Sequence, residues 1–400
     1  MIRERSFQAL LAAEFISRLG SQMTALALPW FVLVETGSVT RMTFVYAAEV
    51  VPMAIFGLPA GTVIQRLGPR TTMLLADAAR APIIAAVPFL HEVGGLSYAL
   101  ILAIAALSGL FSTGYYSCQR VILPDVVGAD ERLVAQANSL VEGTTSITNL
   151  AGPALAGLLI AVIGAANVMW LDAASFVAAF VLVLAFVHVR HHEASPEEAG
   201  GLWAGLAYLR RDLLVARICM VSATYGFLFP ILFASFPVLA YEQYGHGHAW
   251  VAGLLFSCFG GGAVLGAAIA YKFVARLAPM RLAAVAIGGL SLPLWGLVPD
   301  LPLVVPCAVM VLVGVANPIV NAPIFGMLST RVPQVLQPKV IQALLTANTI
   351  AGPVGFAVAG LLFTGIGLHS TYAIVAGGAA VAALIFIHAA TRISHAQEAA

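Results

Sequence analysis

The sequence predicts an all-α polytopic membrane protein, with twelve transmembrane helices in two pseudo-symmetric six-helix bundles. Three observations lead there. The 400 residues are 61% hydrophobic and only 9% charged, whereas about a quarter of a water-soluble domain is charged, and the mean hydropathy is +0.97. The apolar residues fall into twelve runs, each near the roughly 20 residues that a helix needs to cross the hydrocarbon core. The longest polar stretch, 190–212, divides those runs six and six. The composition excludes a cytosolic enzyme, a disordered chain and a secreted disulfide scaffold. A formal net charge of +1 provides no basic face for nucleic acid.

The runs are bounded where charges, prolines and glycines cluster. In the first half they cover 8–34, 42–64, 71–90, 96–119, 134–163 and 167–189. In the second they cover 213–241, 249–271, 281–299, 301–326, 340–364 and 369–390. Span one follows Met1-Ile-Arg3-Glu-Arg5 at once, is longer than the core of a signal peptide and has no small-residue cleavage site before span two, so it is expected to stay in the mature protein. Sixteen of the nineteen Lys and Arg residues fall on one side, in loops or at span ends, Arg41 lies opposite, and Arg18 and Arg80 lie within spans. By the positive-inside rule, both termini are expected in the cytoplasm of a bacterial inner-membrane protein.

The expected division is an N-terminal bundle over 1–189, a cytoplasmic linker over 190–212 that includes an amphipathic piece around Trp203 to Arg211, and a C-terminal bundle over 213–400. The halves echo each other. At an offset of 203, Gly152, Ala154, Ala156, Gly157, Leu158, Leu159, Ile163 and Gly164 meet Gly355, Ala357, Ala359, Gly360, Leu361, Leu362, Ile366 and Gly367. A duplicated six-helix unit of this kind is expected to bind its substrate between the halves, near the membrane midplane.

After span two comes Gly61-Thr-Val-Ile-Gln65-Arg66-Leu-Gly68-Pro-Arg70. It resembles the major facilitator signature Gly-x-x-x-Asp-Arg-x-Gly-Arg-Arg/Lys. Three further stretches, Ile16 to Trp30, Leu75-Ala-Asp-Ala-Ala-Arg80 and Trp170-Leu-Asp-Ala-Ala-Ser-Phe176, are similar to the drug, macrolide and siderophore efflux branch that includes enterobactin-exporter-like proteins. The resemblance covers the whole chain, more closely in the first half. It implies the major facilitator fold, alternating access and proton antiport. It also implies a gating role for Gly61, Gln65, Arg66, Gly68 and Arg70, with Asp77 and Arg80 in the same cytoplasmic cluster; structural pairing of Asp77 with Arg80 is the alternative. Gln65 stands where the signature has Asp, so neutral hydrogen bonds would replace a charge lock. Gly152-Pro153 and Gly157 on span five resemble the exporter motif of that helix and mark a bend. Ser139, Thr148 and Ala156 occupy positions where that motif has glycine.

Ionisable groups inside a membrane are costly and mark functional sites. Glu14, Arg18, Glu49, Asp77, Arg80, Glu142 and Asp172 all lie in spans of the first half, whereas the second half has only Arg217 and Glu242 at the ends of span seven. Glu14 and Arg18, four residues apart, share a helix face. Arg18 sits about 15 Å in, close to the midplane, and Gln22 continues the stripe, which either faces a cavity or only packs span one. Glu49 sits among apolar residues with no basic residue within a helical turn. An isolated carboxyl there can bind and release a proton, as a reversible carrier must; a carboxyl that merely bonds a backbone carbonyl is the alternative. Glu142 has the same logic on span five. Asp172, near the start of span six, is expected to complement the positive helix end.

The second half offers an apolar, aromatic and amide wall. Asn317 and Asn321 flank helix breaks at Pro318 and Pro323. Asn149 and Asn348 add amides to spans five and eleven. Tyr225, Phe227, Phe229, Phe233 and Phe236 give span seven an aromatic character suited to an amphipathic ligand. Lining a cavity, for Tyr225 and Phe229 as for the others, competes with plain packing. Gly260-Gly-Gly262 and Gly266 allow a close helix approach. Cys118, Cys219, Cys258 and Cys307 read as small core hydrophobes with no disulfide pattern. His188, His191, His192, His246 and His248 read as loop histidines without metal-site spacing. No cofactor or metal is expected, and no phosphate-binding loop for ATP.

The sequence thus predicts a monomeric exporter, not an enzyme, whose partners are a small-molecule substrate, protons and the lipid bilayer. A dedicated siderophore or metabolite exporter is the alternative. A polytopic membrane enzyme and a transporter-like receptor are the rivals from other classes.

Overall fold

The computed structural model describes residues 5–128, 130–188, 213–273, 279–331 and 337–398. They form α1 (Arg5–Thr36), α2 (Val39–Leu67), α3 (Pro69–Glu92), α4 (Tyr98–Val121), the short α5 (Leu123–Val127), α6 (Glu131–Ile163) and α7 (Ala165–Phe186). The second half holds α8 (Leu213–Leu239), α9 (Ala249–Phe273), α10 (Pro279–Ser291), α11 (Val304–Arg331), α12 (Gln337–Ile366) and α13 (Leu368–Glu398). Apart from α5, these are the twelve spans expected. Ten meet the length and hydropathy of a membrane crossing; α1 has the length but carries Glu14 and Arg18 mid-helix. The proposed amphipathic piece around 203–211 lies outside the described residues.

Local chemistry sets the boundaries. Ser38 and Ser97 cap α2 and α4 by accepting from the amides of Arg41 and Leu100, and Asp130 caps α6 by accepting from those of Arg132 and Leu133; each supplies an acceptor that a helix start lacks. The α2–α3 junction turns on Gly68 at φ 78°, with Pro69 opening α3, where a missing amide hydrogen costs nothing. The fifth and sixth spans meet at Gly164, φ 82°. Two elements differ from expectation. Span nine ends its α-helix at Ser291 and continues as a 3-10 helix, Leu292–Leu297, with Pro293 in its first turn. Span seven runs on through a π turn, Ala240–Tyr244, just beyond Pro237, whose ring cannot continue the α-helical bonding.

The chain divides into two units, 1–196 with 240–253, and 197–239 with 254–400. Residues 240–253, from the end of span seven into the first turn of α9, group with the first unit. There Gly253 approaches the backbone of Pro153 and Gly157 so closely that a side chain would clash. In the first unit α1 packs on α6 and α7, α3 on α4 and α7, and α2 on α4. The second repeats the pattern with α8 on α12 and α13, α10 on α11 and α13, and α9 on α11. Equivalent glycines make equivalent approaches. Gly109 of α4 abuts the Glu49 carbonyl of α2, and Gly314 of α11 abuts the Phe259 carbonyl of α9. Gly152 of α6 abuts Gln22 of α1, and its sequence echo Gly355 of α12 abuts Phe227 of α8. Small residues at crossings let backbones pack by dispersion, the main attraction left where lipid is as apolar as the helix.

Candidate functional site

Inside the first unit, α1, α2, α4 and α7 surround a cavity of about 160 Å³. Its polar lining is Ser21, Gln22 and Thr24 from α1, Glu49 from α2, Ser108, Ser112, Thr113 and Tyr116 from α4, and Asp172 from α7. The helix crossings shape it. The Gly109–Glu49 approach holds α2 against α4 beside the Glu49 side chain, and Gly20 lets α1 meet α7 where a Cβ would lie 2.9 Å from that of Ser175. Glu49 and Asp172 share this space, and the lining holds no Lys, Arg or His.

Asp172 is 1% exposed. It accepts a bond from Ser175 Oγ at 3.1 Å. Its expected role at the helix start is corrected: it is the eighth residue of α7, and the field of a helix terminus fades within the first turn. The residue faces the cavity instead. Sequence reasoning also missed Ser108, Ser112, Thr113 and Tyr116, which look like ordinary small and aromatic residues until α4 is placed.

Asp77 and Arg80 do not join Arg66 and Arg70 at the α2–α3 turn. Both are 0% exposed. Arg80 Nη2 lies 2.5 Å from Asp77 Oδ1 and 3.3 Å from Ser17 Oγ, and Nη1 lies 3.5 Å from Ser112 Oγ. The guanidinium is held between the rings of Tyr115, at 4.5 Å, and Phe176, at 4.2 Å. Ser112 and Phe176 also line the cavity, so this buried cation sits directly behind its wall. Arg18 is a second such cation. Its Nη2 donates to Gln119 Oε1 at 2.8 Å and lies 3.7 Å from Glu14, and its guanidinium is 4.7 Å from the centre of the Tyr116 ring. Arg18 therefore supports the wall from behind rather than lining it.

Of the other candidates, Gln22 lines the cavity and donates to Asn149. Glu142 lies exposed on α6, away from the cavity lining. Arg66 is exposed, and Arg70 Nη2 donates to the Leu184 carbonyl at 2.8 Å, satisfying an acceptor that the end of α7 leaves open. The surroundings of Gly61 and the side chain of Gln65 lie outside what the structure describes. Helix α6 runs unbroken through Gly152 and Pro153, and Gly152 serves a close contact, since a Cβ there would be 2.5 Å from that of Gln22.

In the second unit the amides pair with near neighbours. Asn321 donates to Asn317 at 3.2 Å and Asn348 to Ser222 at 3.0 Å. The Tyr225 hydroxyl donates to the Ala379 carbonyl at 3.2 Å. Phe229 and Phe233 pack with Phe256 and Phe259 of α9 at ring separations of 5.1 to 5.9 Å. Phe236 is 1% exposed in the same cluster. These rings fill the gap between α8 and α9. Among the described residues, no group of three or more His, Cys, Asp or Glu side chains could hold a metal.

Comparison with known proteins agrees with this architecture. The Major Facilitator Superfamily family model matches residues 10–355. The chain is 27% identical to the multidrug efflux pump Tap of Mycolicibacterium fortuitum over 91% of its length and 90% of the relative's. It is 22% identical to macrolide efflux protein A of Streptococcus pyogenes, again over 91% and 90%. Among solved structures, the nucleoside transporter NupG superposes with a TM-score of 0.77 at 14% identity, covering 96% of this chain and 98% of that one. A bacterial homologue of the iron transporter ferroportin gives 0.75 at 17% identity, over 96% and 98%. Ten helices among the described residues long and apolar enough to cross a membrane, a repeated pairing pattern within each unit and a family match across most of the sequence lead to one conclusion: the chain belongs to the Major Facilitator Superfamily and is a multi-pass membrane transporter rather than an enzyme.

Proposed function

We propose that the protein exports amphipathic, drug-like small molecules by alternating access, exchanging them for protons. The observation that carries this reading is the pair of carboxyls, Glu49 and Asp172, in one membrane-embedded cavity with no basic residue in its lining. A carboxyl in that setting is expensive to keep charged, so proton binding and release there is coupled to what else occupies the cavity. Similarity to a multidrug and a macrolide efflux protein supports efflux of bulky substrates. The reading places a monomer in the inner membrane, both termini in the cytoplasm, with 1–189 and 213–400 as the moving bundles and 190–212 as their linker. Neutral Gln65 would then make for a weaker lock at the α2–α3 turn than the Asp of the family signature.

Glu49→Gln is isosteric and cannot carry a proton. In inverted vesicles with an acidic lumen, wild type should accumulate a macrolide or an amphipathic dye in the lumen, and Glu49→Gln should bind it but lose gradient-driven movement. Wild-type rates in the variant would reject Glu49 as the carrier. A susceptibility panel in a pump-deficient host tests the substrate class, and protection confined to one siderophore or metabolite would replace the multidrug reading.

A further inference from the structure

The second unit contains a feature outside the candidate cavity of the first unit. Helices α9 and α11 run side by side in the same direction with a constant register. Gly262 faces Val311, where a Cβ would lie 3.1 Å from the Val311 Cα, and Gly266 faces Val315, where it would lie 2.8 Å from the carbonyl carbon. Both pairs are 49 residues apart. From the other side, Gly314 meets Ala263, with a Cβ 3.0 Å from its backbone nitrogen. Such approaches require the two backbones to touch along this row.

One turn towards both N-termini, the same register pairs Cys258 with Cys307. The two thiols are close enough to interact. Both residues are free and partly exposed, whereas Cys118 and Cys219 are buried. A disulfide needs Cα atoms roughly 4.4 to 6.8 Å apart and Cβ atoms about 4 Å apart. Backbones in glycine contact one turn away, carrying neighbouring thiols in the same register, bring the pair within reach of that geometry by small side-chain rotations. The sequence alone shows no pairing pattern for these cysteines, because the 48 residues between them conceal the register that the helices impose.

We propose that Cys258 and Cys307 are a redox-active pair, oxidised by small disulfides to an intramolecular disulfide that staples α9 to α11. The balance is that of thiol–disulfide exchange. The Cys258 thiolate attacks one sulfur of the oxidant and expels the other half as a thiol. Cys307 then attacks the mixed disulfide at the Cys258 sulfur and expels the second half. The oxidant's S–S bond breaks, the Cys258–Cys307 bond forms, and the two protons and two electrons lost by the cysteines appear on the two released thiols. The staple closes a loop through α10, so it restricts the unfolded chain more than the folded one.

The full-length protein in detergent is treated with 4,4′-dithiodipyridine, which reaches thiols in apolar surroundings, then acid-quenched, digested and analysed by mass spectrometry. The expected product is a 258–307 cross-linked peptide lacking two hydrogens and carrying no pyridylthio group. Cys258→Ser and Cys307→Ser should instead each carry one pyridylthio adduct on the remaining cysteine. Oxidised wild type should unfold at a higher temperature than reduced wild type, dithiothreitol should reverse the shift, and neither single variant should show it. Two pyridylthio adducts on wild type, or two unmodified thiols after prolonged exposure, would overturn the pairing. A cross-link that leaves the unfolding midpoint unmoved would overturn the staple.

Discussion

Removing one partner of the Asp77–Arg80 pair should destabilise the first unit strongly, and removing both should not. The pair is 0% exposed and closed at 2.5 Å. Breaking a buried ion pair typically costs about 3 to 5 kcal/mol, because a charge is left without compensation, whereas replacing both ends with apolar groups of similar size is often close to neutral. In Asp77→Leu the guanidinium keeps the Ser17 and Ser112 hydroxyls and the faces of Tyr115 and Phe176. Each ring offsets about 1 kcal/mol, which puts the net cost near the lower end, about 3 kcal/mol. Arg80→Met should cost somewhat less, since an orphaned carboxylate can take a proton and a guanidinium cannot lose one. The double variant should fall within about 1 kcal/mol of wild type, giving a coupling energy of roughly 3 kcal/mol or more, at or above the top of the usual range for contacting residues. Unfolding free energies from SDS titration in mixed micelles measure all four corners of the cycle. Additivity to within about 0.5 kcal/mol would refute the claim that the pair acts as a unit. Transport by the folded double variant then decides between structural pairing and a gating role.

Gly109→Val places a side chain against the Glu49 carbonyl carbon, which already lies 2.9 Å from an ideal Cβ; the expected loss is about 1 to 3 kcal/mol by overpacking, and an unchanged SDS midpoint would contradict the close crossing. Gly262→Leu should do the same to the second unit by forcing α9 off α11, read as a lower thermal midpoint and weaker oxidation of the Cys258–Cys307 pair. Tyr225→Phe removes one bond to a helix carbonyl and should cost no more than about 1 kcal/mol; a large loss of substrate affinity with normal stability would show that the hydroxyl serves the ligand instead. Asp172→Asn, in the same vesicle assay as Glu49→Gln, should impair gradient-driven efflux, and wild-type coupling would leave Glu49 as the sole carboxyl to account for it.

The number, order and approximate ends of the spans followed from the sequence because hydrocarbon thickness sets how long an apolar run must be, and charged or glycine–proline clusters cannot lie within it. The repeat was legible for a related reason: Gly152 and Gly355 occupy equivalent crossings, so the residue type is constrained by the contact in each half. Confinement of the charged spans to the first half was equally plain from composition. Which charges meet was not. Asp77 and Arg80 seemed to belong with Arg66 and Arg70 by sequence proximity, yet three further helical turns carry Arg80 into the bundle, where only tertiary packing supplies Tyr115 and Phe176. Asp172 looked like a helix-end carboxylate until α7 was set against α1 at Gly20 and its side chain turned towards Glu49, 123 residues away in the chain. The aromatic stripe on span seven gave no sign of whether it faced a ligand or α9, since a ring presents the same apolar surface to either. The sequence determines what must be in the membrane through local, one-dimensional costs of burial. Only the tertiary structure decided which polar groups share a cavity, because that depends on helix register between segments far apart in the chain.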